Sequence, residues 1–146
     1  TIIVPVGGGG LLAGMATRLH QLEGHEHITL VGVEAEASRA VSSSVEAGHT
    51  VEVPVGETLA DGLAGNVEPG SVTVDIIRQH RIPMCAVTED EISAAIRTLL
   101  HDHGIVAEGS AATAFAAMGI IETEQPVVAV ITGRNIAWPT LRGILD

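Results

Sequence analysis

The stretch VPVGGGGLLAG, residues 4–14, places four consecutive glycines between an apolar run and a helix-like pattern. Glycine costs backbone entropy wherever it is ordered, and a tight turn that merely needs positive φ is satisfied by one. Four together give a row of bare backbone N–H groups, with the positive end of a helix behind them. That is the geometry of an anion cup: phosphate fits, and any Cβ would hold it away from the backbone. The stretch therefore reads as strand, anion-binding loop, helix.

The same alternation continues outward. TIIVPV (1–6), ITLVGVE (28–34), CAVT (85–88) and VVAVIT (127–132) are short, β-branched and continuously apolar, as strands buried on both faces should be. TVEVPV (50–55) alternates less cleanly and reads as an edge strand. Helices are expected near 10–22, 38–47, 72–81, 89–103 and 109–122, with a last short one following Pro139. The segment 89–103 is the best defined. Thr88 and Glu91 have the spacing of a capping box, Ile92, Ile96, Leu99 and His103 share a stripe, and Gly104 stands at the C-terminal cap position. Strands alternating with helices predict an α/β three-layer domain, a mostly parallel sheet with helices on both faces. The turn-rich segment GETLADGLAGNVEPGS (56–71) is too long for a plain connection and is expected to be a functional loop.

Composition narrows the function. The 146 residues are enough for one domain with a real core, and 46% are apolar. No apolar run reaches the ~18 residues of a membrane span. A formal charge of −11 disfavours nucleic acid and anionic membrane surfaces as partners. With no Tyr, one Phe (Phe115) and one Trp (Trp138), a stacking platform for bases is not expected. The single cysteine, Cys85, excludes an intramolecular disulfide, reads as a buried small hydrophobe, and fits a reducing, cytoplasmic setting. The chain has no lysine. Its seven basic residues, histidines aside, are Arg18, Arg39, Arg78, Arg81, Arg97, Arg134 and Arg142.

Several phosphate compounds could occupy the cup. Gly8, Gly10 and Ala13 fit the dinucleotide fingerprint G-x-G-x-x-A, and Glu34 ends the second strand where an acid could bind a ribose. That makes a dinucleotide-binding module a genuine competitor. A phosphate-binding P-loop is excluded, because no G-K-[ST] follows.

The order of motifs is more specific. VPVGGGGLLAG, VGVE, ETLADGLA, VTEDEI, VAEGSAA and VVAVITGRNI, taken together, resemble the C-terminal half of the serine/threonine dehydratase and serine racemase family. These are pyridoxal-phosphate (PLP) enzymes of the tryptophan-synthase-β type, fold type II, and the likeness runs from about residue 3 to about 137. The resemblance implies that Gly7, Gly8, Gly9, Gly10 and the amide of Leu11 form the cup for the PLP phosphate. It places Thr132 where the family has the Ser of S-G-G-N, whose hydroxyl meets the pyridine nitrogen. Glu108 matches the Glu of E-P-x-x-A near the ring, and Asp61 and Gly62 lie in the turn on the cofactor side. Some members bind a divalent cation, and Glu34 matches its first ligand.

Three departures stand out. Arg134 replaces a glycine of S-G-G-N, Gly109 replaces the usual Pro after Glu, and Ala40 stands where the cation site would need an Asp. The missing lysine weighs more. A PLP enzyme holds its cofactor as a Schiff base to lysine, so no residue here can be that catalytic group. The resemblance places the lysine and the loop that grips the substrate in an N-terminal half. The expectation is that residues 1–146 are the C-terminal part of the PLP-binding domain of a larger, homodimeric enzyme. A small amino acid would be its substrate, in a β-elimination that releases a 2-oxo acid and ammonia. A non-catalytic domain that keeps the fold is the third reading.

Other features read as bland. HEH (25–27) and HDH (101–103) pair histidines at i, i+2, which do not share a helix face, and are expected to be solvated. The serines of SRAVSSS (38–44) lack a nucleophile elbow. Trp138 is expected to pack the terminal helix.

Overall fold

The computed structural model describes residues 1–24, 27–123 and 125–146. Four strands, β1 (Ile2–Pro5), β2 (Leu30–Ala35), β3 (Met84–Val87) and β4 (Val128–Ala129), form one parallel sheet in the order β3-β2-β1-β4. Six α-helices among the described residues surround it: α1 (Gly10–His20), α2 (Ala40–Ala47), α3 (Thr73–Gln79), α4 (Glu89–His103), α5 (Gly109–Ala117) and α6 (Trp138–Leu145).

The expected three layers are present. Successive side chains of a strand point to opposite faces, and each face has its own core. Ile3, Val33, Ala35 and Val87 pack with Ile92, Ile96 and Leu99 of α4, the alanines of α5, and Leu141 and Ile144 of α6. Val4, Val6 and Leu30 pack with Leu12, Ala13 and Ala16 of α1, Ala40 and Val41 of α2, and Val74 and Ile77 of α3. β2 is buried along its whole length, which explains why it is apolar at every position but Glu34.

From β1 the chain runs outward through β2 to β3, and then crosses back to lay β4 on the other side of β1. Ile2 and Ile3 pair with Leu30 and Val31 on one side, and with Val128 and Ala129 on the other. Strand order therefore reverses at β1. In open α/β sheets, ligands bind at such a point, outside the carboxyl ends of the strands. The glycine loop leaves the carboxyl end of β1, and residues 130–135 leave that of β4.

The expected boundaries of α4 hold to the residue. Thr88 Oγ1 accepts the Glu91 N–H, and the Glu91 carboxylate accepts the Thr88 N–H. Gly104 closes the helix at φ 65°, a conformation that favours glycine. Such a cap is worth about 1 kcal/mol.

Four expectations need correction. Residues 50–55 form no strand; Val53 instead exchanges two hydrogen bonds with the Asn66 side chain. β4 spans only Val128 and Ala129 of the expected 127–132, because it pairs on one side only and Val128 is half-exposed. Cys85 is only half-buried, since β3 is the opposite edge. Trp138 is 68% exposed; α6 packs through Leu141 and Ile144 while Arg97 donates to the Ile144 carbonyl at 2.8 Å. In the second histidine cluster His101 and His103 are exposed, as expected. His25 and Glu26 of the first lie outside the described residues. No helix among the described residues is long and apolar enough to cross a membrane.

Candidate functional site

Four segments meet at the carboxyl ends of the strands. The first is the glycine loop. Val6 donates to Val33 as the last β1-side contact, and α1 opens at Gly10 after Gly9 adopts φ +81°, which suits glycine alone. Among the described residues, no acceptor meets the backbone N–H groups of residues 7–12; the α1 ladder begins when Ala13 donates to the Gly9 carbonyl. The first turn of α1 carries no acidic side chain. The loop is thus a set of unpaired donors at the positive end of a helix whose own first turn brings no carboxylate to it. A Cβ on Gly8 or Gly10 would meet nothing within 4 Å, so their open sides face free space. Leu11 is exposed at the same end, whereas Ala13 is buried in the α1 core.

The second segment is the 3-10 turn Asp61–Leu63. A Cβ on Gly7 would come within 3.3 Å of Leu63 Cα and 3.4 Å of the Gly62 carbonyl, so turn and loop lie backbone to backbone. Glu89, the first residue of α4, anchors the approach to the turn. Its carboxylate accepts the Thr58 hydroxyl and the Leu59 N–H, the latter at 2.7 Å. The Asp61 side chain accepts the Gly62 N–H.

The third is the start of α5, where Glu108 is the N-cap. Gly109 packs against the 59–60 peptide so closely that a Cβ would fall inside the Leu59 carbonyl group. This accounts for one departure seen in the sequence: a prolyl ring cannot sit here without displacing the 58–63 segment. Ser110 lies against Gly62, its hydroxyl 2.9 Å from where a Gly62 Cβ would be. That hydroxyl is buried and has no hydrogen-bond partner among the described residues.

The fourth is residues 130–135. The Glu108 N–H donates to the Gly133 carbonyl at 3.2 Å, and Asn135 N–H donates to Glu108 Oε2 at 2.8 Å. The Glu108 carboxylate fills the space that a Gly133 Cβ would need. Thr132 is exposed beside this clamp, and Arg134, also exposed, lies outside both cores. Glu108 therefore reaches the site as the holder of the Thr132 segment.

Glu34 stands apart. It is 1% exposed, and its two carboxylate oxygens accept the N–H groups of Val41 (2.8 Å) and Ser42 (3.1 Å) at the start of α2. Burial pushes its carboxyl above the ordinary value of 4.5, against the lowering effect of those hydrogen bonds. No group of three His, Cys, Asp or Glu among the described residues is placed to hold a metal.

The sequence reading missed Glu89, Ser71 and Thr73 as site supports. Glu89 was visible only as a first-turn acid of α4. Thr73 Oγ1 donates to the Gly8 carbonyl across 65 residues of chain, a contact that no local pattern announces.

A reversing parallel sheet with an unpaired glycine loop at the reversal defines an α/β domain with a candidate anion site at the carboxyl ends of its strands. The profile of the pyridoxal-phosphate dependent enzyme family matches residues 1–133, and the chain belongs to that family. An L-threonine ammonia-lyase of Geobacter sulfurreducens is 38% identical over 148 residues, covering 99% of this chain and 36% of its own. The processed form of threonine deaminase isoform 2 from Solanum lycopersicum superposes with a TM-score of 0.83 at 31% identity, over 98% of this chain and 42% of that one. A serine racemase from Dictyostelium discoideum gives 0.76 and 32%, over 93% and 44%. The chain thus spans less than half of the length of these relatives.

Two outcomes are expected. Gly109→Ala forces backbone apart and lowers unfolding free energy by about 3 kcal/mol or more in urea titration; an unchanged midpoint contradicts the packing described. For Glu34, the folded pKa is raised, so its contribution to stability is full below pH 4.5 and is lost as pH rises through the folded value. Unfolding free energy measured from pH 4 upward should therefore fall in the wild type relative to Glu34→Gln. A difference that stays flat, or moves the other way, contradicts the shift.

Proposed function

We propose that this chain is the cofactor-holding part of a PLP-dependent ammonia-lyase acting on a small hydroxy amino acid. The observation that carries the reading is the run of unpaired N–H groups over residues 7–12 at the strand-order reversal. The cradle fits the cofactor's phosphate, because Gly8 and Gly10 present free space where a side chain would block it. When bound, PLP supplies an electron sink for the carbanion formed at the substrate's α-carbon.

The chain's own residues bind and orient. The amides of Gly7, Gly8, Gly9, Gly10 and Leu11 hold the phosphate against the α1 dipole. Thr132 offers a hydroxyl to the pyridine nitrogen. A neutral hydroxyl does not hold that nitrogen protonated as a carboxylate would, which tempers the ring as a sink and suits loss of a β-hydroxyl. Glu108 fixes the Thr132 segment through Asn135. Asp61 and Gly62 wall the site beside the loop. No lysine occurs in these 146 residues. The amine that bonds the cofactor and moves the α-proton therefore belongs to polypeptide outside this sequence, together with the substrate-gripping loop.

Two of the relatives support the lyase assignment, the Geobacter L-threonine ammonia-lyase and the Solanum lycopersicum threonine deaminase. The dinucleotide alternative asks Glu34 to bind a ribose. Its oxygens are already engaged by Val41 and Ser42, and the side chain is 1% exposed.

Equilibrium dialysis against equimolar PLP and NAD tests the reading. Retention of PLP is expected, and preferential retention of NAD defeats it. Gly8→Ala adds a Cβ with nothing to strike and should leave thermal stability unchanged within about 0.5 kcal/mol. It should also weaken PLP retention at least about ten-fold, by blocking the cradle.

A further inference from the structure

The glycine loop is held in shape from outside itself. Thr73, at the first position of α3, donates its hydroxyl proton to the Gly8 carbonyl at 2.8 Å. That proton is its only one, so the 2.9 Å contact between Ser71 Oγ and Thr73 Oγ1 has Ser71 as donor. The Thr73 N–H returns to Ser71 Oγ at 3.3 Å, which closes a small ring. The relay runs Ser71 hydroxyl to Thr73 hydroxyl to Gly8 carbonyl.

The same threonine also shapes the next residue. A Cβ on Gly9 would lie 3.2 Å from Thr73 Cβ and 3.0 Å from Ile77 Cδ1. Gly9 is thus pressed onto α3 while it holds φ +81°. A peptide group is planar and trans, so its C=O and N–H point in opposite directions. Drawing the Gly8 carbonyl toward α3 aims the Gly9 N–H away from it. Four glycines would otherwise sample many loop shapes, and only those with converging N–H groups bind an anion well.

We infer that Thr73, oriented by Ser71, is a positioning residue for the phosphate end of the cofactor. It sets the direction of the Gly9 N–H without touching the ligand. The inference rests on the reading of the loop as the PLP phosphate site. Its effect should fall on the phosphate and not on the ring: preorganisation lowers the ordering cost of binding, and only the phosphate engages this loop.

The test compares wild type, Thr73→Val, Thr73→Ser and Ser71→Ala for retention of PLP and of pyridoxal, which lacks the phosphate. Thr73→Val keeps shape and removes the donor, and should weaken PLP about five- to ten-fold, the fold-change of one lost hydrogen bond, with pyridoxal unchanged. Thr73→Ser restores the donor and should recover PLP affinity to within about two-fold. Ser71→Ala, which leaves Thr73 in place, should give a smaller loss of the same kind. Unchanged PLP affinity in Thr73→Val overturns the inference while the cofactor reading stands. So does an equal loss for pyridoxal, or a failure of Thr73→Ser to recover, since either marks general loosening of the fold. If the wild-type chain itself does not retain PLP over pyridoxal, the phosphate reading falls and the inference falls with it.

Discussion

The site depends on backbone meeting backbone with no side chain between. Gly109 lies on the Leu59 carbonyl and Gly7 on Leu63 and the Gly62 carbonyl, while Gly133 leaves room for the Glu108 carboxylate. Each contact joins two segments that are far apart in sequence, and together they string the four walls into one piece: glycine loop to 3-10 turn, turn to α5, α5 to the Thr132 segment. Remove the close approach at Gly109 and the turn no longer sits beside the loop. Protein interiors resist such changes because they are packed without slack. The polar ties act on the same geometry. Glu89 holds the residues that lead into the turn, and Glu108 holds those that follow β4.

Electrostatics are local here. With 18 acidic residues against seven arginines, the chain as a whole repels anions at long range. At the loop the balance reverses, since α1 begins without an acid and the N–H groups of residues 7–12 are unpaired. The acidic side chains near the site are already engaged: Glu89 by Thr58 and Leu59, Glu108 by Asn135, and Asp61 by Gly62. The buried carboxyl of Glu34 is placed at the start of α2 instead, on a strand that β1 separates from β4.

Much of the fold was legible because it rests on local chemistry. The Thr88–Glu91 cap and Gly104 defined α4, and short, largely apolar runs defined β1 and β2, whose faces are covered by helices. Edges were harder. β4 shrank because a strand paired on one side does not need to continue, and 50–55 left the sheet because the Asn66 side chain replaced a neighbouring strand. Within the site, the glycine loop was legible from its own sequence. Its supports were not, since Thr73, Glu89 and the Gly109–Leu59 approach are contacts between distant segments. The replacement of proline by glycine at 109 was visible in the sequence, but its reason became clear only with the neighbouring carbonyl in view.

The central claim is that an anion binds the unpaired amides of the glycine loop. Titrating the 15N-labelled chain with inorganic phosphate, and following backbone amide signals, addresses it most directly. Saturable shifts concentrated at Gly8, Gly9, Gly10 and Leu11, with the amides of Val41 and Ser42 beside Glu34 unmoved, are the expected result. Shifts spread evenly over the surface, or a loop that does not respond while another segment does, would contradict it.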